Sequence, residues 1–449
     1  MKIASIILAA GQSKRMVSDT PKVLHKLNGK PLIEYALDAA GKATTETPVI
    51  VIGNGAEMVQ EQLGDRVHFA LQSERLGTAH AVMAAEKQIQ PDSDLVLVTS
   101  ADMPLLTAET LKGVVEAQNA NSGPMTLLTV HSRNPRGFGR ILRSADGSVL
   151  AIVEEAQATP EQLKIDELNV GVYCFDSKWL WNALKDIKLS PKGEYYLTDI
   201  VEVAVRSKQK VYAQVMDDED EALGVNTRIH LAEAERIVRH RVNEAYMLAG
   251  VTMLDPDLVH IEEGVKIGKD TTLLPGVHLK GKTVIGEDCT LGPNTIVYSS
   301  TIGNKVEIGP ALIEKAVVED GVDMTTFCHL RSGAHLGPGV HMGNFGEVKD
   351  SYLAAGVKMG HFSYIGNATI GENVNIGAGT ITCNYDGVHK HPTEIGAETF
   401  IGSDTMLVAP LKIGKGAKTG AGAVVTHDVA DGEVVAGVPA RPMKKKESS

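Results

Sequence analysis

A chain of 449 residues is longer than one hydrophobic core usually organises, so the sequence predicts two domains. An apolar fraction of 43% and a charged fraction of 22% are ordinary for a folded globular protein and exclude an intrinsically disordered one. The net charge of −12 argues against a general nucleic-acid-binding surface, and no apolar stretch approaches the roughly 18 residues of a membrane span.

The first half of the chain alternates apolar strands with helical segments. The sequence predicts strands at residues 2–8, 49–53 and 95–99 and helices at residues 32–40 and 78–88. Such alternation is typical of an α/β layer fold, and it predicts a Rossmann-like domain with a mostly parallel sheet over residues 1–228.

A helical connector is predicted after this domain. Apolar residues from Ile229 to Val242 recur at helical spacing, and Gly250 suits the C-cap that would end the helix. We therefore assign residues 229–250 to a helical linker between the domains.

The second half of the chain has a period of six residues. Apolar side chains such as Ile261, Ile267 and Leu273 recur at this spacing and often precede a glycine directly. Neither a helix nor a single strand has this period. It predicts a left-handed parallel β-helix over residues 251–449, in which each face is one short strand, a coil takes about 18 residues and coils stack about 4.8 Å apart.

Two interruptions of this period are predicted to be loops on the binding face. They lie between residues 348 and 353 and between residues 381 and 395. His329, His335 and His341 are also six residues apart, which we interpret as repeat register on one face, with metal binding as a minor alternative.

A loop of small residues directly follows the first predicted strand, and Arg15 and Lys22 come soon after it. Backbone N–H groups of such a loop can approach a triphosphate closely, while the two cations offset charge on phosphoryl oxygens. A tight βα turn with solvated basic residues would explain the loop alone equally well. The loop residues are Leu8, Ala9, Ala10 and Gly11.

Two further segments favour a nucleotide site. Gln72, Gly77 and Thr78 lie in the segment LQSERLGTAHA, and Asp102 follows the apolar strand that ends at Ser100. An acidic residue at the C-terminal end of a strand, beside a phosphate loop, is positioned to hold magnesium. Without these neighbours Asp102 would more often be a helix cap.

These motifs resemble the sugar nucleotidyltransferase family. With the six-residue repeats, the whole chain resembles the bifunctional bacterial enzymes that join N-acetylglucosamine-1-phosphate uridylyltransferase to glucosamine-1-phosphate N-acetyltransferase. The resemblance implies acetyl transfer from acetyl-CoA to glucosamine 1-phosphate, then uridylyl transfer from UTP with Mg²⁺ as cofactor. The product would be UDP-N-acetylglucosamine, a precursor for cell-wall synthesis.

The resemblance also implies roles for residues of the first domain. Arg15 and Lys22 would be catalytic, because they would meet the charge of the departing pyrophosphate. Gly139, Glu154 and Asn169 would contact the N-acetylglucosamine group. Asp102 and Asn226 would hold magnesium. The nucleotide would be bound by Leu8, Ala9, Ala10, Gly11, Lys22, Gln72, Gly77, Thr78, Ser100 and Asp102.

Two positions of this domain depart from the family's pattern. The family usually has a Tyr-Gly pair ahead of the metal-binding aspartate, where this chain has Ser100-Ala101. It usually has a lysine shortly after the sugar-contacting glutamate, where this chain has Ala156. Both changes remove side-chain contacts near sugar and phosphate, so the sequence supports nucleotidyl transfer more firmly than strict choice of the sugar.

A second group of polar residues lies among the repeats. Acetyl transfer to a sugar amine needs a base with a pKa near neutrality, which suits histidine. Most of the 15 histidines must be surface or packing residues, but the resemblance places His361 at the general base. It implies that Arg331, Lys349, Tyr364 and Asn375 hold the sugar phosphate and hydroxyls.

Acetyl-CoA is assigned by the same resemblance to residues near the end of the β-helix. They are Ala378, Asn384, Tyr385, Ser403 and Ala421. From the sequence alone, packing at solenoid corners explains the two alanines and the serine equally well. The family's C-terminal arginine is replaced by Gly437, so Arg441 or the lysines at 444–446 could substitute for it, although such a lysine run is usually a solvated tail.

Two other functions stay open at this point. One is a single-activity sugar-1-phosphate nucleotidyltransferase whose β-helix only assembles or regulates it. The other is a β-helical scaffold without chemistry, which leaves Arg15, Lys22 and Asp102 unexplained. Solenoids of this type resemble trimeric acyltransferases, so we expect a homotrimer with small-molecule substrates and neither nucleic acid nor membrane as partner. Four widely spaced cysteines favour the reducing cytoplasm.

Overall fold

The computed structural model describes residues 1–11 and 14–443, without the side chain of Lys14. It divides into two compact units, with the boundary between Val238 and Arg239. Within the described residues, no helix is both long enough and apolar enough to cross a membrane.

The first unit is built on a mixed sheet whose centre is parallel. Strand β1 runs parallel to β4 and β6, whereas β10 is antiparallel to β6 and β7. The order across the sheet is β11-β7-β10-β6-β1-β4-β5, with β8 and β9 attached through β10 and a separate ribbon formed by β2 and β3. The strands are β1 Ile3–Leu8, β2 Lys26–Leu27, β3 Lys30–Pro31, β4 Val49–Ile52, β5 His68–Leu71, β6 Leu95–Ser100, β7 Met125–His131, β8 Arg140–Arg143, β9 Val149–Val153, β10 Glu167–Asp176 and β11 Tyr212–Val215.

Helices cover both faces of this sheet. Ile6 and Ile7 of β1 are both completely buried but belong to two different apolar clusters, because successive strand residues point to opposite faces. Burial on both sides explains why β1 is apolar at every position except the buried Ser5. The helices are α1 Leu32–Ala43, α2 Ala56–Leu63, α3 Thr78–Ala84, α4 Ala108–Ala120, α5 Ser177–Ala183, α6 Ile200–Arg206 and α7 Arg228–Leu248.

The predicted connector is helix α7, and the boundary between the two units falls inside it. In the first unit, Glu233 of α7 pairs with Arg136, with 2.9 Å between Oε1 and Nη2. In the second unit, Tyr246 donates a hydrogen bond to the carbonyl of Val265 at 2.6 Å. The helix ends just before Gly250, whose φ of +98° suits the predicted C-cap.

The second unit is a left-handed parallel β-helix with three faces, as predicted. Within the described residues, the first face contains Thr252–Met253, Thr272–Leu273, Thr290–Leu291, Glu307–Ile308, Asp323–Met324, His341–Met342, Lys358–Met359, Asn375–Ile376, Phe400–Ile401, Lys418–Thr419, Val434–Ala436 and Arg441–Pro442. The second face contains His260–Ile261, His278–Lys280, Ile296–Tyr298, Ala311–Glu314, Cys328–Leu330, Gly346–Lys349, Ser363–Gly366, Ile381–Cys383, Met406–Val408 and Val424–Val425. The third face contains Lys266–Ile267, Val284–Ile285, Thr301–Ile302, Val317–Val318, Ala334–Leu336, Ser351–Leu353, Ala368–Ile370, Thr393–Ile395 and Leu411–Ile413.

The six-residue period arises because one apolar side chain of each face points inward. Leu273, Leu279 and Ile285 lie on consecutive faces and are all buried. Leu273 pairs with Leu291 of the next coil, so like side chains stack along the axis. Corners are close-packed, and a Cβ on Gly343 would collide with the carbonyl oxygen of Gly360.

The three regularly spaced histidines lie on three different faces, so their interpretation as one face is wrong. A step of six residues moves the chain to the next face, and only a whole coil returns it to the same one. Each imidazole instead lies beside a carboxylate of the preceding coil. The nitrogen–oxygen pairs are His329 with Glu314 at 3.0 Å, His335 with Glu319 at 2.5 Å and His341 with Asp323 at 2.7 Å.

Only the second predicted interruption is a loop. At the first, strand Gly346–Lys349 is followed almost directly by Ser351–Leu353, and the corner between them is formed by Asp350 with φ of +43°. This corner is shorter by one residue, which breaks the sequence period without inserting chain. At the second, the chain leaves the β-helix over residues 384–392, where Tyr385 forms an isolated bridge with Lys390.

Candidate active sites

A cleft of about 600 Å³ lies at the C-terminal ends of the central strands of the first unit. Leu8 ends β1 and pairs with Ser100, which ends the parallel neighbour β6, so both strands deliver their last residues to one edge. The cleft contains every residue predicted to bind the nucleotide. They are Leu8, Ala9, Ala10, Gly11, Lys22, Gln72, Gly77, Thr78, Ser100 and Asp102.

Lys22 is at the centre of the polar groups of this cleft. Its Nζ lies 2.5 Å from Oδ2 of Asp102 and 2.9 Å from Oδ1 of Asn226. Nη2 of Arg15 donates to the same Asn226 oxygen at 3.0 Å, and the Ser100 hydroxyl donates to Oδ1 of Asp102 at 2.6 Å. The structure therefore brings together the two predicted metal ligands and both predicted catalytic cations.

The oxygen atoms around Lys22 suit a hard divalent cation. Asp102 and Asn226 present a carboxylate and an amide oxygen to one positive group, and both are donor types that magnesium prefers. Among the described residues there is no cluster of three or more His, Cys, Asp or Glu side chains that could hold a metal. A magnesium ion at this position would therefore use phosphate oxygens and water for its remaining ligands.

Gly77 permits a close backbone contact on the nucleotide side of the cleft. Its φ is +100°, and a Cβ there would collide with the carbonyl oxygen of Tyr195 and lie 2.8 Å from its nitrogen. The neighbouring Thr78 hydroxyl accepts a hydrogen bond from the Leu197 backbone N–H at 2.9 Å. Residues 195–197 are therefore fixed against the start of helix α3.

A second pocket, of about 410 Å³, shares Tyr196 with the nucleotide cleft. Its walls include Glu154, which the sequence predicts to contact the sugar, and Ala156, where the family's lysine is absent. Oε1 of Glu154 accepts a hydrogen bond from the Thr198 hydroxyl at 2.9 Å. The pocket therefore adjoins the cleft.

Gly139 and Asn169 are joined through their backbones beside this pocket but do not line it. The Asn169 N–H donates to the carbonyl of Gly139 at 2.9 Å, and the buried Asn169 side chain donates to the Tyr173 hydroxyl at 2.7 Å. A Cβ on Gly139 would lie 2.8 Å from Cγ2 of Ile152, so a larger residue there would displace that side chain.

The second site contains a group of cations on the second face of the β-helix. Nη1 of Arg331 donates to Oε1 of Glu347 at 2.9 Å, and this carboxylate raises the pKa of Arg331. The pKa of Lys349 is lowered by the neighbouring Lys390 ammonium and by Arg331. Arg331, Lys349 and the loop residue Lys390 together form a candidate phosphate site.

Tyr364 lies one coil beyond Glu347, directly beside it in the ladder. A Cβ on Gly366 would collide with the Tyr364 hydroxyl and lie 2.8 Å from Nδ2 of Asn384. Nδ2 of Asn384 donates to Oδ1 of Asn367 at 2.7 Å, which fixes the orientation of this buried amide. Gly366 thus leaves the space that the two predicted ligand-binding side chains share.

His361, Ala378, Ser403 and Ala421 occupy the same corner in four successive coils. The flanking strands establish this register, since Met359 pairs with Ile376, and Ile376 in turn with Ile401. Because coils stack about 4.8 Å apart, this corner column extends over about 14 Å. The imidazole of His361 is exposed at one end of it.

The remaining predicted residues lie around this column. Asn375 is on the first face, paired with Lys358 and Phe400, and not on the face of Arg331. The exposed Tyr385 lies in loop 384–392 and donates its hydroxyl hydrogen to the Gly387 carbonyl at 2.6 Å. Arg441 is exposed and pairs in the ladder with Ala436, next to Gly437. The lysines at 444–446 lie outside the described residues.

Comparisons with known proteins match both halves of the chain. Residues 4–231 match the nucleotidyl transferase family model, residues 264–299 the bacterial transferase hexapeptide model with six repeats, and residues 392–427 the hexapeptide repeat of succinyl-transferase. A protein of Enterococcus faecalis named bifunctional protein GlmU is 45% identical over 91% of this chain and 90% of its own length. The GlmU protein of Heliobacterium modesticaldum is 44% identical over 100% of this chain and 97% of its own length.

The chain belongs to the GlmU family of bifunctional proteins. The predicted architecture and the predicted pair of activities, uridylyl transfer and acetyl transfer in UDP-N-acetylglucosamine synthesis, are confirmed. The substrates are small molecules, with UTP and acetyl-CoA as the donors that these two transfers need.

Several residues of the two sites were not predicted from the sequence. Arg75, Glu194 and Tyr196 line the nucleotide cleft, and Lys192 lines the neighbouring pocket. Lys390 stands beside Lys349 although it belongs to loop 384–392. Arg75 and Lys390 lie close in sequence to predicted site residues, so this proximity could have identified them. No sequence pattern marked residues 190–198 as part of a site.

Proposed function

We propose that the second unit first transfers acetyl from acetyl-CoA to glucosamine 1-phosphate, and that the first unit then couples the product to UTP. The observation that carries the first step is the corner column that begins at His361. The observation that supports the second step is the set of hydrogen bonds that joins Arg15, Lys22, Asp102 and Asn226 at the nucleotide cleft.

In uridylyl transfer, an oxygen of the sugar 1-phosphate attacks the α-phosphorus of UTP. The bond from this phosphorus to the bridging oxygen breaks, and pyrophosphate leaves. Arg15 and Lys22 offset the charge of the departing group. The backbone of residues 8–11 holds the phosphates, while Gln72, Gly77 and Thr78 hold the rest of the nucleotide.

Magnesium would be held by Asp102 and Asn226. When bound, it neutralises phosphate charge, a task that the two cations share. The Ser100 hydroxyl orients the Asp102 carboxylate through its 2.6 Å hydrogen bond.

The acetylated sugar would occupy the pocket beside Tyr196. Glu154 would accept hydrogen bonds from sugar hydroxyls, held in place by Thr198. Asn169 and Gly139, which lie beside this pocket without lining it, would contact the N-acetylglucosamine group.

In acetyl transfer, the amine nitrogen of glucosamine 1-phosphate attacks the thioester carbon, the carbon–sulfur bond breaks and the CoA thiolate leaves. His361 accepts the proton that the nitrogen loses. Arg331, Lys349 and Lys390 would hold the sugar phosphate, and Tyr364 and Asn375 its hydroxyls. A backbone N–H near Ala378 would stabilise the oxyanion.

Acetyl-CoA would lie along the corner column of His361, Ala378, Ser403 and Ala421, with Asn384 and Tyr385 beside its reactive end. The small side chains of the column leave room for an extended arm. Gly437 provides no charge at the far end, and Arg441, its close neighbour in the ladder, would contact the CoA phosphates instead.

A homotrimer is the proposed assembly. The exposed rings of Phe327 and Phe345 stack with 5.5 Å between centroids on adjacent coils, an apolar surface that association would bury. Full acetyl transfer by a species that light scattering measures as a monomer would contradict this. All four cysteines are free thiols, which supports a cytoplasmic location.

The decisive experiment measures both half-reactions in two variants. We expect His361→Ala to lose acetyl transfer and keep uridylyl transfer, and Asp102→Ala to do the reverse. Glucosamine 1-phosphate and acetyl-CoA test the first reaction by CoA release. No CoA release from the unmodified chain would instead favour a single-activity nucleotidyltransferase.

A further inference from the structure

Lys192 is the one cation in the lining of the described pocket beside Tyr196. The same lining contains the carboxylates of Glu154 and Glu155. A sugar 1-phosphate that enters this pocket is an anion, so two carboxylates in its wall oppose binding unless their charge is offset.

The two carboxylates already have partners. Glu155 accepts hydrogen bonds from Nη1 and Nη2 of Arg140 at 3.1 and 3.2 Å, and the Arg140 side chain is only 2% exposed. Glu154 accepts from Thr198. Lys192, in contrast, forms no ion pair or hydrogen bond through its side chain with any described residue. Its three N–H donors are therefore available to a ligand.

The backbone around Lys192 is fixed at both ends. The N–H of Ser190 donates to the Glu194 carbonyl at 2.9 Å and that of Gly193 donates back to Ser190 at 2.9 Å, so Lys192 occupies a closed turn. Directly after this turn, the Tyr195 N–H donates to the Leu76 carbonyl at 2.6 Å. The base of the lysine side chain is thus held at the pocket wall, while its end can reach inward.

Ala156 faces the same pocket with a side chain of one carbon. We propose that Lys192 is a substrate-binding residue that contacts the anionic sugar 1-phosphate, supplying from the 190–194 turn the positive charge that position 156 lacks. Because Lys192 lines the sugar pocket and not the nucleotide cleft, it acts on the sugar phosphate and not on UTP. This inference rests on the proposed uridylyl transfer.

The test is steady-state kinetics of the full chain with N-acetylglucosamine 1-phosphate and UTP varied separately. We expect Lys192→Ala to raise KM for the sugar phosphate by about fivefold to tenfold and to leave KM for UTP within about twofold. Moving the charge to position 156 of the same pocket, in the double variant Lys192→Ala with Ala156→Lys, should restore most of the loss. Lys188→Ala, at an exposed lysine outside the pocket, is the matched control and should behave like the unmodified chain.

Three outcomes would overturn the inference: an unchanged KM for the sugar phosphate in Lys192→Ala, an equal rise of both KM values, or no recovery in the double variant. Absence of uridylyl transfer in the unmodified chain would instead refute the proposed function. Thermal unfolding of each variant, followed by circular dichroism, reports whether it is folded.

Discussion

The Tyr364 hydroxyl occupies the space that a side chain on Gly366 would fill, two residues along the same strand. The backbone of residue 366 therefore helps to determine where this phenol oxygen lies. Asn384 closes the same space from the next coil, with its Nδ2 2.8 Å from the position of such a Cβ.

Gly366→Ala should displace the Tyr364 hydroxyl and lower kcat/KM for acetyl transfer by on the order of tenfold to a hundredfold. Tyr364→Phe should cause a similar loss. The double variant should lose no more activity than either single variant, because all three variants lose the same contact, that of the Tyr364 hydroxyl. Uridylyl transfer in the same preparations is the control. Additive losses would show that Gly366 acts through something other than Tyr364.

Gly77→Ala should cost more stability than a positive φ alone explains. At Gly147, with φ of +83° and no neighbouring atom within 4 Å of a built Cβ, alanine should cost about 1 kcal/mol of unfolding free energy. At Gly77 the collision with Tyr195 adds to that cost, and a total of about 3 kcal/mol is expected together with a raised KM for UTP. Denaturant unfolding of both variants measures the difference, and equal losses would contradict the collision.

The stacked His260 and His278 should make the β-helix less stable in mild acid. Their ring centroids are 4.4 Å apart. Burial lowers the pKa of both histidines from the ordinary 6.5, and the nearby Lys280 lowers both further. The pKa of His260 is also lowered by His278 and Arg239. The unfolded chain therefore binds these protons more readily than the folded chain does. Stability is full above about pH 6.5 and falls as pH drops below it.

The double variant His260→Phe with His278→Phe keeps the stack and removes the titration. Its thermal unfolding midpoint should fall less than that of the unmodified chain between about pH 7.5 and pH 5.5. Circular dichroism provides the measurement, and His427→Phe, at an exposed histidine elsewhere in the β-helix, provides the control. Identical pH dependence in all three proteins would rule out a contribution from the stack.

Arg441→Ala should raise KM for acetyl-CoA by about fivefold and leave KM for glucosamine 1-phosphate unchanged, since Arg441 lies at the end of the corner column. Lys412→Ala, at an exposed cation of the third face that pairs with Glu394 at 3.0 Å, should change neither value. A change of similar size in both variants would indicate a general effect of net charge.

The sequence predicted the repeat because it is periodic, and it singled out the small-residue loop that lines the cleft because that pattern is local. One inward side chain per face repeats every six residues, and the small residues at 8–11 directly follow their strand. Spatial relations created by the fold were harder to predict. The six-residue step from His329 to His335 was assigned to one face, although a coil of about 18 residues with three faces implies that each such step reaches the next face. Lys192 was not predicted as a site residue, because the turn that brings it to the pocket is held by a backbone contact with Leu76, more than a hundred residues away in sequence.

Loop 384–392 leaves the β-helix and returns without changing the register of the coils on either side. Ile376 still pairs with Ile401, and Ile381 with Met406. The spacing between His361 and Ala378 is determined by backbone hydrogen bonds between coils, so it does not depend on the length of this loop. The loop can therefore become longer or shorter in related chains while the distance from His361 to Ala378 stays unchanged.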